Sequence, residues 1–255
     1  MFEIRAGPGG IGTPAELGLD EIHKAGLKAA EVEFVRQVYM DNKRAKEVGD
    51  YAKKLDIILS IHAPYYVNLN SEDKKILDAS RSRILKSVER GHHMGASYVV
   101  FHPGYYGKMG KEETYTNVKA QVLMMMDEIK SNGWKTKIAA ETMGKVNVFG
   151  NIDEVLNLVK ETGCFFCMDF AHMIARNQGK IDYEEIFGKL KPFKQLHCHF
   201  SGIEWTDKGE KNHIVTPKKW MEELVGYLRK YKKEVVIINE SPDPLNDSVK
   251  LMKLV

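Results

Sequence analysis

The chain is poor in cysteine, with Cys164, Cys167 and Cys198 the only three in 255 residues. The count is odd, and the start "MFEIRAGPGG" lacks the charged head and apolar stretch of a secretion signal. On these grounds a reducing, cytoplasmic setting is expected rather than a secreted one. The single CxxC, in "GCFFCMDF", does not predict a zinc knuckle, because such a site needs about four ligands and no second pair follows. No apolar run approaches the ~20 residues that span a bilayer, so no membrane partner is expected. An excess of one charge over the other is missing too, with 38 Lys and Arg against 35 Asp and Glu. A net charge of +3 is too small to indicate a nucleic-acid partner by itself, although a local basic rim is compatible with it. Linkers, low-complexity stretches and composition breaks are missing, which leads us to expect one domain over residues 1–255. There is also no dinucleotide fingerprint. "AGPGGIGT" is glycine-rich, but its spacing is not G-x-G-x-x-G, and it reads as a flexible turn.

What is present is an alternation. An apolar fraction of 43% and a charged fraction of 29% suit a globular chain with a sizeable core. Eight short runs, "FEIRA", "AAEVEFV", "DIILSIH", "SYVVFH", "TKIAAE", "CFFCMD", "KQLHCH" and "EVVIINE", are nearly all apolar, as strands buried on both faces are. Amphipathic stretches lie between most of them. Residues 72–94 place Ile76, Leu77, Ile84, Leu85 and Val88 at a helical period among charges. "NIDEVLNLVK" opens on an asparagine cap, with acids early and lysine late. Residues 216–231 open with Thr216 as a cap and Pro217 at the first helical position. "KSNGWKTK" and "KETGC" put glycine just after a helix. Strands alternating with helices imply parallel pairing through right-handed crossovers. Eight units in about 250 residues predict an α/β fold of the (β/α)8 TIM barrel type; an open doubly wound sheet is the alternative.

The chemistry sits at the strand ends. Strand three ends at His62, four at His102, five at Glu141, six at Asp169, seven at His197 and His199, and the last at Glu240. In a barrel these ends meet on the face that carries the active site. A lone histidine after a strand is more often a hydrogen-bonded structural residue, and a lone acid a solvated one. Six strands in succession ending this way are another matter: the crowded imidazoles and carboxylates would repel or desolvate one another unless cations held them. Nitrogen and carboxylate donors together suit zinc, manganese or iron rather than calcium. The supply exceeds what one ion needs, so two metals ~3.5–4 Å apart are expected, an arrangement suited to hydrolysis of a phosphate ester. His172, three residues after Asp169, and His213, in the long loop "SGIEWTDKGEKNHIVTP", are candidates for a further ion.

From about residue 56 to 243 the chain resembles the endonuclease IV family of apurinic/apyrimidinic endonucleases. The motifs are "HAPYYVNLN", "FHPGYY", "AAETMGK", "MDFAHMIARNQG", "HFSG" with "NHI", and "INESP". The resemblance implies two or three zinc ions, with Mn2+ or Fe2+ as substitutes. His62, His102 and Glu141 would hold one, and Glu141 would bridge to a second held also by Asp169, His199 and Glu240. His172 and His213 would hold the third. His199 matches the family's histidine-led turn after strand seven better than His197 does. Glu141 and Glu240 would serve catalysis, Glu240 by orienting the nucleophile. Tyr65 falls where the family sets an aromatic residue against the lesion, the alternative being a ring that packs over the barrel mouth. The implied activity is metal-dependent cleavage 5′ to an abasic site in damaged duplex DNA; separately, a monomer is expected, since small metalloenzymes of this shape can act alone.

Three departures stand out. Lys211 occupies the place of a family aspartate, with Glu210 one residue further off. The first strand lacks the family's histidine-containing start. The stretch "FVRQVYMDNKR" keeps only part of a DNA-reading loop, in which Arg36, Lys43 and Arg44 are candidates for phosphate contact. A metal-dependent sugar isomerase or epimerase on the same barrel, commonly with one ion, is therefore the alternative function. A non-catalytic nucleic-acid-binding barrel is a third.

Overall fold

The computed structural model describes residues 3–255; Met1 and Phe2, the second of which heads the first expected strand, lie outside the described residues. The elements are β1 Ile4–Pro8, α1 Ala15–Lys24, β2 Ala29–Glu33, α2 Asn42–Lys54, β3 Ile58–His62, α3 Lys74–Met94, β4 Tyr98–Phe101 and α4 Lys111–Ser131. They continue with β5 Lys137–Glu141, α5 Ile152–Thr162, β6 Phe165–Asp169, α6 Phe170–Arg176, α7 Tyr183–Lys189 and β7 Gln195–Phe200. The last are β8 Gly202–Thr206, β9 Gly209–Ile214, α8 Lys218–Tyr231, β10 Glu234–Asn239 and α9 Pro244–Met252. All eight apolar runs are strands. They form one sheet in the order β1-β10-β7-β6-β5-β4-β3-β2 with parallel pairings. Read from β2, that order follows the chain and ends on β1, which is the strand sequence of the (β/α)8 TIM barrel expected above. No helix among the described residues is long and apolar enough to cross a membrane.

The chain separates into two compact units. One comprises Glu31–Met143 and Asn147–Cys167. Its helices start where their caps dictate: the Asp41 and Asp73 carboxylates accept the backbone N–H groups of Arg44 and Lys75. Asn151 and Glu154 form a reciprocal capping box, and Gly163 closes α5 at φ 75° in the left-handed region. Val100, Ala139 and Cys167 are fully buried in its core, with Tyr98 stacked on Phe165 alongside. Cys164, Cys167 and Cys198 are all buried free thiols; Cys167 lies in β6 and Cys164 immediately before it.

The other unit comprises Met1–Ala30, Gly144–Val146 and Met168–Val255. A Cβ at Gly7 would stand 1.6 Å from the Ala29 carbonyl oxygen, so β1 runs past the start of β2 at a distance only glycine permits. Phe170, Tyr183, Phe187 and Tyr227 pack ring on ring where α6, α7 and α8 meet. Two expectations need correction here. The stretch read as one long loop after β7 is an antiparallel hairpin, β8–β9. In addition, α8 begins at Lys218 with Pro217 as the flanking residue, not the first helical one. Thr216 does not cap it: the Thr216 N–H donates to Asp247 Oδ2, and its hydroxyl oxygen accepts from the Asn239 side chain.

Candidate metal centre

In the first unit, β3 delivers His62 as its last residue, β5 delivers Glu141 as its last, and His102 follows β4 by one position. The strands are parallel neighbours, so equivalent ends lie side by side. His62 Nε2 and His102 Nε2 stand 3.3 and 3.0 Å from the same oxygen, Glu141 Oε2. His62 Nδ1–H donates to the Ala63 carbonyl at 2.7 Å, which aims Nε2 at Glu141, the outer contact that metal-binding imidazoles usually make. Burial by itself would depress the His62 pKa. The hydrogen bond to Glu141 and the charges of Glu33, Glu141 and Glu31 outweigh it and raise the value from 6.5 to about 10. Donor atoms of His62, His102 and Glu141 all lie within 4.8 Å of one another. A zinc tetrahedron with ~2.1 Å bonds has edges of about 3.4 Å, so this set fits a divalent ion.

Tyr65 is 40% exposed and stacks on His102, ring centroids 5.5 Å apart, while its hydroxyl donates to Glu33 Oε2 at 3.2 Å. Glu33 and the fully buried Glu31, which accepts from the Ser60 hydroxyl at 2.6 Å, were not among the expected site residues. The signal was two acids at alternate positions of an otherwise apolar strand. Arg36 is exposed on the loop after β2.

The second unit carries two more donor groups. Asp169 ends β6, His199 lies on β7 and Glu240 follows β10, and their donor atoms fall within 4.8 Å of one another. His199 Nδ1 is 3.4 Å from Glu240 Oε1. His197, buried on the same strand with its ring 5.8 Å from that of His199, does not join Asp169 and Glu240 among the described donor groups.

The last group consists of His172, Glu210 and His213. Asp169 organises it. One carboxylate oxygen accepts the His172 backbone N–H at 2.8 Å, capping α6, and the other lies 3.1 Å from His172 Nδ1. That turns Nε2 toward Glu210 Oε2, 3.5 Å away. His213 Nδ1 bonds the Ser201 hydroxyl at 2.6 Å, so its orientation is fixed too. Lys211 pairs instead with Glu204 at 3.0 Å on the exposed side of the hairpin. Gly144 leaves the space: a Cβ there would lie 2.7 Å from Glu210 Cβ and 3.0 Å from both Glu210 Oε2 and His172 Cδ2. Two imidazoles and a carboxylate around that gap again match the donor chemistry of a divalent ion.

Over residues 19–248 the chain matches the family described as xylose isomerase-like TIM barrel. It is 36% identical over 248 residues to an uncharacterized protein of Methanocaldococcus jannaschii, with 92% of this chain and 89% of that one covered. It is 26% identical over 216 residues to a probable endonuclease 4 of Carboxydothermus hydrogenoformans, covering 77% and 74%. Among solved structures it superposes on a D-tagatose 3-epimerase-like protein with TM-score 0.75 at 18% identity, covering 98% and 95%. Endonuclease IV from Thermus thermophilus gives TM-score 0.68 at 19% identity, covering 98% and 97%. At such identities the structural likeness is one of fold alone, and the names it brings together are those of an endonuclease and an epimerase-like protein. The chain therefore belongs to the xylose isomerase-like TIM barrel family.

Proposed function

We propose that the protein is a metal-dependent apurinic/apyrimidinic endonuclease that cleaves the phosphodiester 5′ to an abasic site in duplex DNA. The observation that carries this reading is the His172, Glu210, His213 group, a further donor set beyond the one ion that a sugar epimerase commonly uses. Relatives named probable endonuclease 4 support it.

In this reading His62, His102 and Glu141 would hold one divalent ion, Asp169, His199 and Glu240 a second, and His172, Glu210 and His213 a third. Bound there, such ions would supply a water of lowered pKa and polarise the phosphate. The residues themselves set the geometry. Ala63 and Asp169 fix which nitrogens of His62 and His172 face inward. Glu240 orients the attacking oxygen, which forms the new bond to phosphorus as the 3′-oxygen leaves and takes up a proton. Tyr65, held by His102 and Glu33, presents its ring to exposed bases, and Arg36 contacts the phosphate backbone.

The test is cleavage of a duplex carrying one tetrahydrofuran abasic analogue, with and without chelator. A metal-dependent nick with an extendable 3′-hydroxyl, lost in His62→Ala and Glu141→Gln at unchanged folding, is expected. Epimerisation of a ketose by a protein with one ion per chain and no nicking would replace this reading with the sugar-processing one.

A further inference from the structure

Beside Tyr65 the first unit carries a groove of 410 Å³, within the ~300–1,000 Å³ range of small-molecule sites. Three tyrosines line it with large exposed surfaces: Tyr65 at 40%, Tyr66 at 65% and Tyr105 at 50%. Clustered exposed rings of this kind mark a recognition surface more often than chance. The polar share of the lining comes from Lys75, Arg83 and Asn68, with no carboxylate among the described lining residues. Two cations without a counter-charge in the wall favour an anionic occupant.

The groove is held open by backbone anchors. Arg83 Nη1 donates to the Tyr66 carbonyl at 3.0 Å. Asn68 Oδ1 accepts from the Tyr105 N–H at 3.3 Å, and the Asn68 N–H donates to the Ser80 hydroxyl of α3 at 3.0 Å. Gly104, at φ 136°, brings its backbone to where a Cβ would lie 2.6 Å from Asn68 Oδ1. These contacts hold the backbone that carries the rings and leave the rings of Tyr66 and Tyr105 themselves exposed at the surface.

We propose that this groove binds one unpaired nucleotide of a DNA strand, with its base on the rings of Tyr66 and Tyr105 and its phosphate on Lys75 and Arg83. Rings interleaved with cations form the stacking and charge platform on which single strands are held. Tyr65 joins the groove to the His62, His102 and Glu141 group, because the ring that lines the one stacks on the other. The assignment deepens the DNA-directed reading above and rests on it, but it is read out by binding rather than by cleavage.

The experiment measures fluorescence anisotropy of a short fluorescein-labelled oligothymidylate against the full-length protein over a series of salt concentrations. Tyr66→Ala and Tyr105→Ala each should weaken binding at least about fivefold. Lys75→Gln should lower the log–log salt slope by about 0.7, as loss of one single-strand phosphate contact does. The charge control Lys180→Gln, in the other unit, should behave as wild type. Thermal unfolding of each variant separates loss of binding from loss of fold. Unchanged affinity in folded Tyr66→Ala and Tyr105→Ala overturns the proposal even if abasic DNA is nicked. Groove-dependent binding without nicking leaves it standing while the nuclease reading falls. An oligonucleotide that does not bind at all at low salt sinks it outright and points to a protein partner for the patch.

Discussion

Glu210 and His213 turn their donor atoms to the same place although they lie three positions apart on β9. In a regular strand, residues three apart face opposite sides. The ladder explains the exception: Ile203 pairs with His213 and Glu204 with Asn212, but Trp205 pairs with Glu210, so Lys211 is the extra residue of a bulge. An aspartate two places before the histidine would reach the same spot in an unbulged strand. Here the bulge brings in the glutamate and sends Lys211 outward.

Glu210→Ala should therefore remove about one ion per chain and reduce nicking at least about tenfold, whereas Lys211→Ala should change neither. Elemental analysis beside the abasic-site assay decides it. Equal metal content in both variants would show that Glu210 holds nothing.

Gly144→Ala tests the space rather than the ligand. The new methyl would press on Glu210 and the His172 ring, so the same ion should be lost while the far-UV spectrum stays near that of wild type. Retained stoichiometry in that variant would mean the two side chains yield without consequence.

The pH behaviour of the metal-free protein follows from His62. Its pKa is raised in the fold from 6.5 to about 10, so the stabilisation from its charge is complete below pH 6.5 and disappears as pH rises through about 10. An entering ion must displace that proton, and apparent affinity should climb about tenfold per pH unit between 7 and 9. Competition against a chelator at several pH values measures the slope. In Glu141→Gln the proton is held less tightly, and a slope that stays the same there would refute the assignment.

Gly7→Ala addresses the fold. A methyl 1.6 Å from the Ala29 carbonyl oxygen cannot be accommodated without moving a strand. We expect a loss of at least about 2 kcal/mol, and a melting temperature about 4–8 °C lower, by calorimetry.

Much of this was legible in the amino-acid order. Buried parallel strands are apolar on both faces, so runs such as "SYVVFH" and "EVVIINE" stand out, and the polar residue closing each run stands out with them. His62, His102, Glu141, Asp169, His199 and Glu240 were visible for that reason. The hairpin β8–β9 was hidden because its outward faces are charged, and Glu204, Lys211 and Asn212 look like loop composition. Glu210 as a partner of His172 depends on a bulge, which is a property of pairing rather than of order. Glu31 and Glu33 escaped notice because the run holding them was read for its apolar content alone. Gly144 could not be picked out, since its significance is the space it leaves between two side chains distant in the chain.

Asp169 ends one element, begins the next and steadies an imidazole, all with two oxygens. Chelation should then be audible in the backbone: once the ion no longer holds this carboxylate, amide deuterium uptake at residues 170–173 ought to quicken ahead of the rest of the helix. Occupancy would thus be written into the local opening rate of a single turn, readable without any substrate.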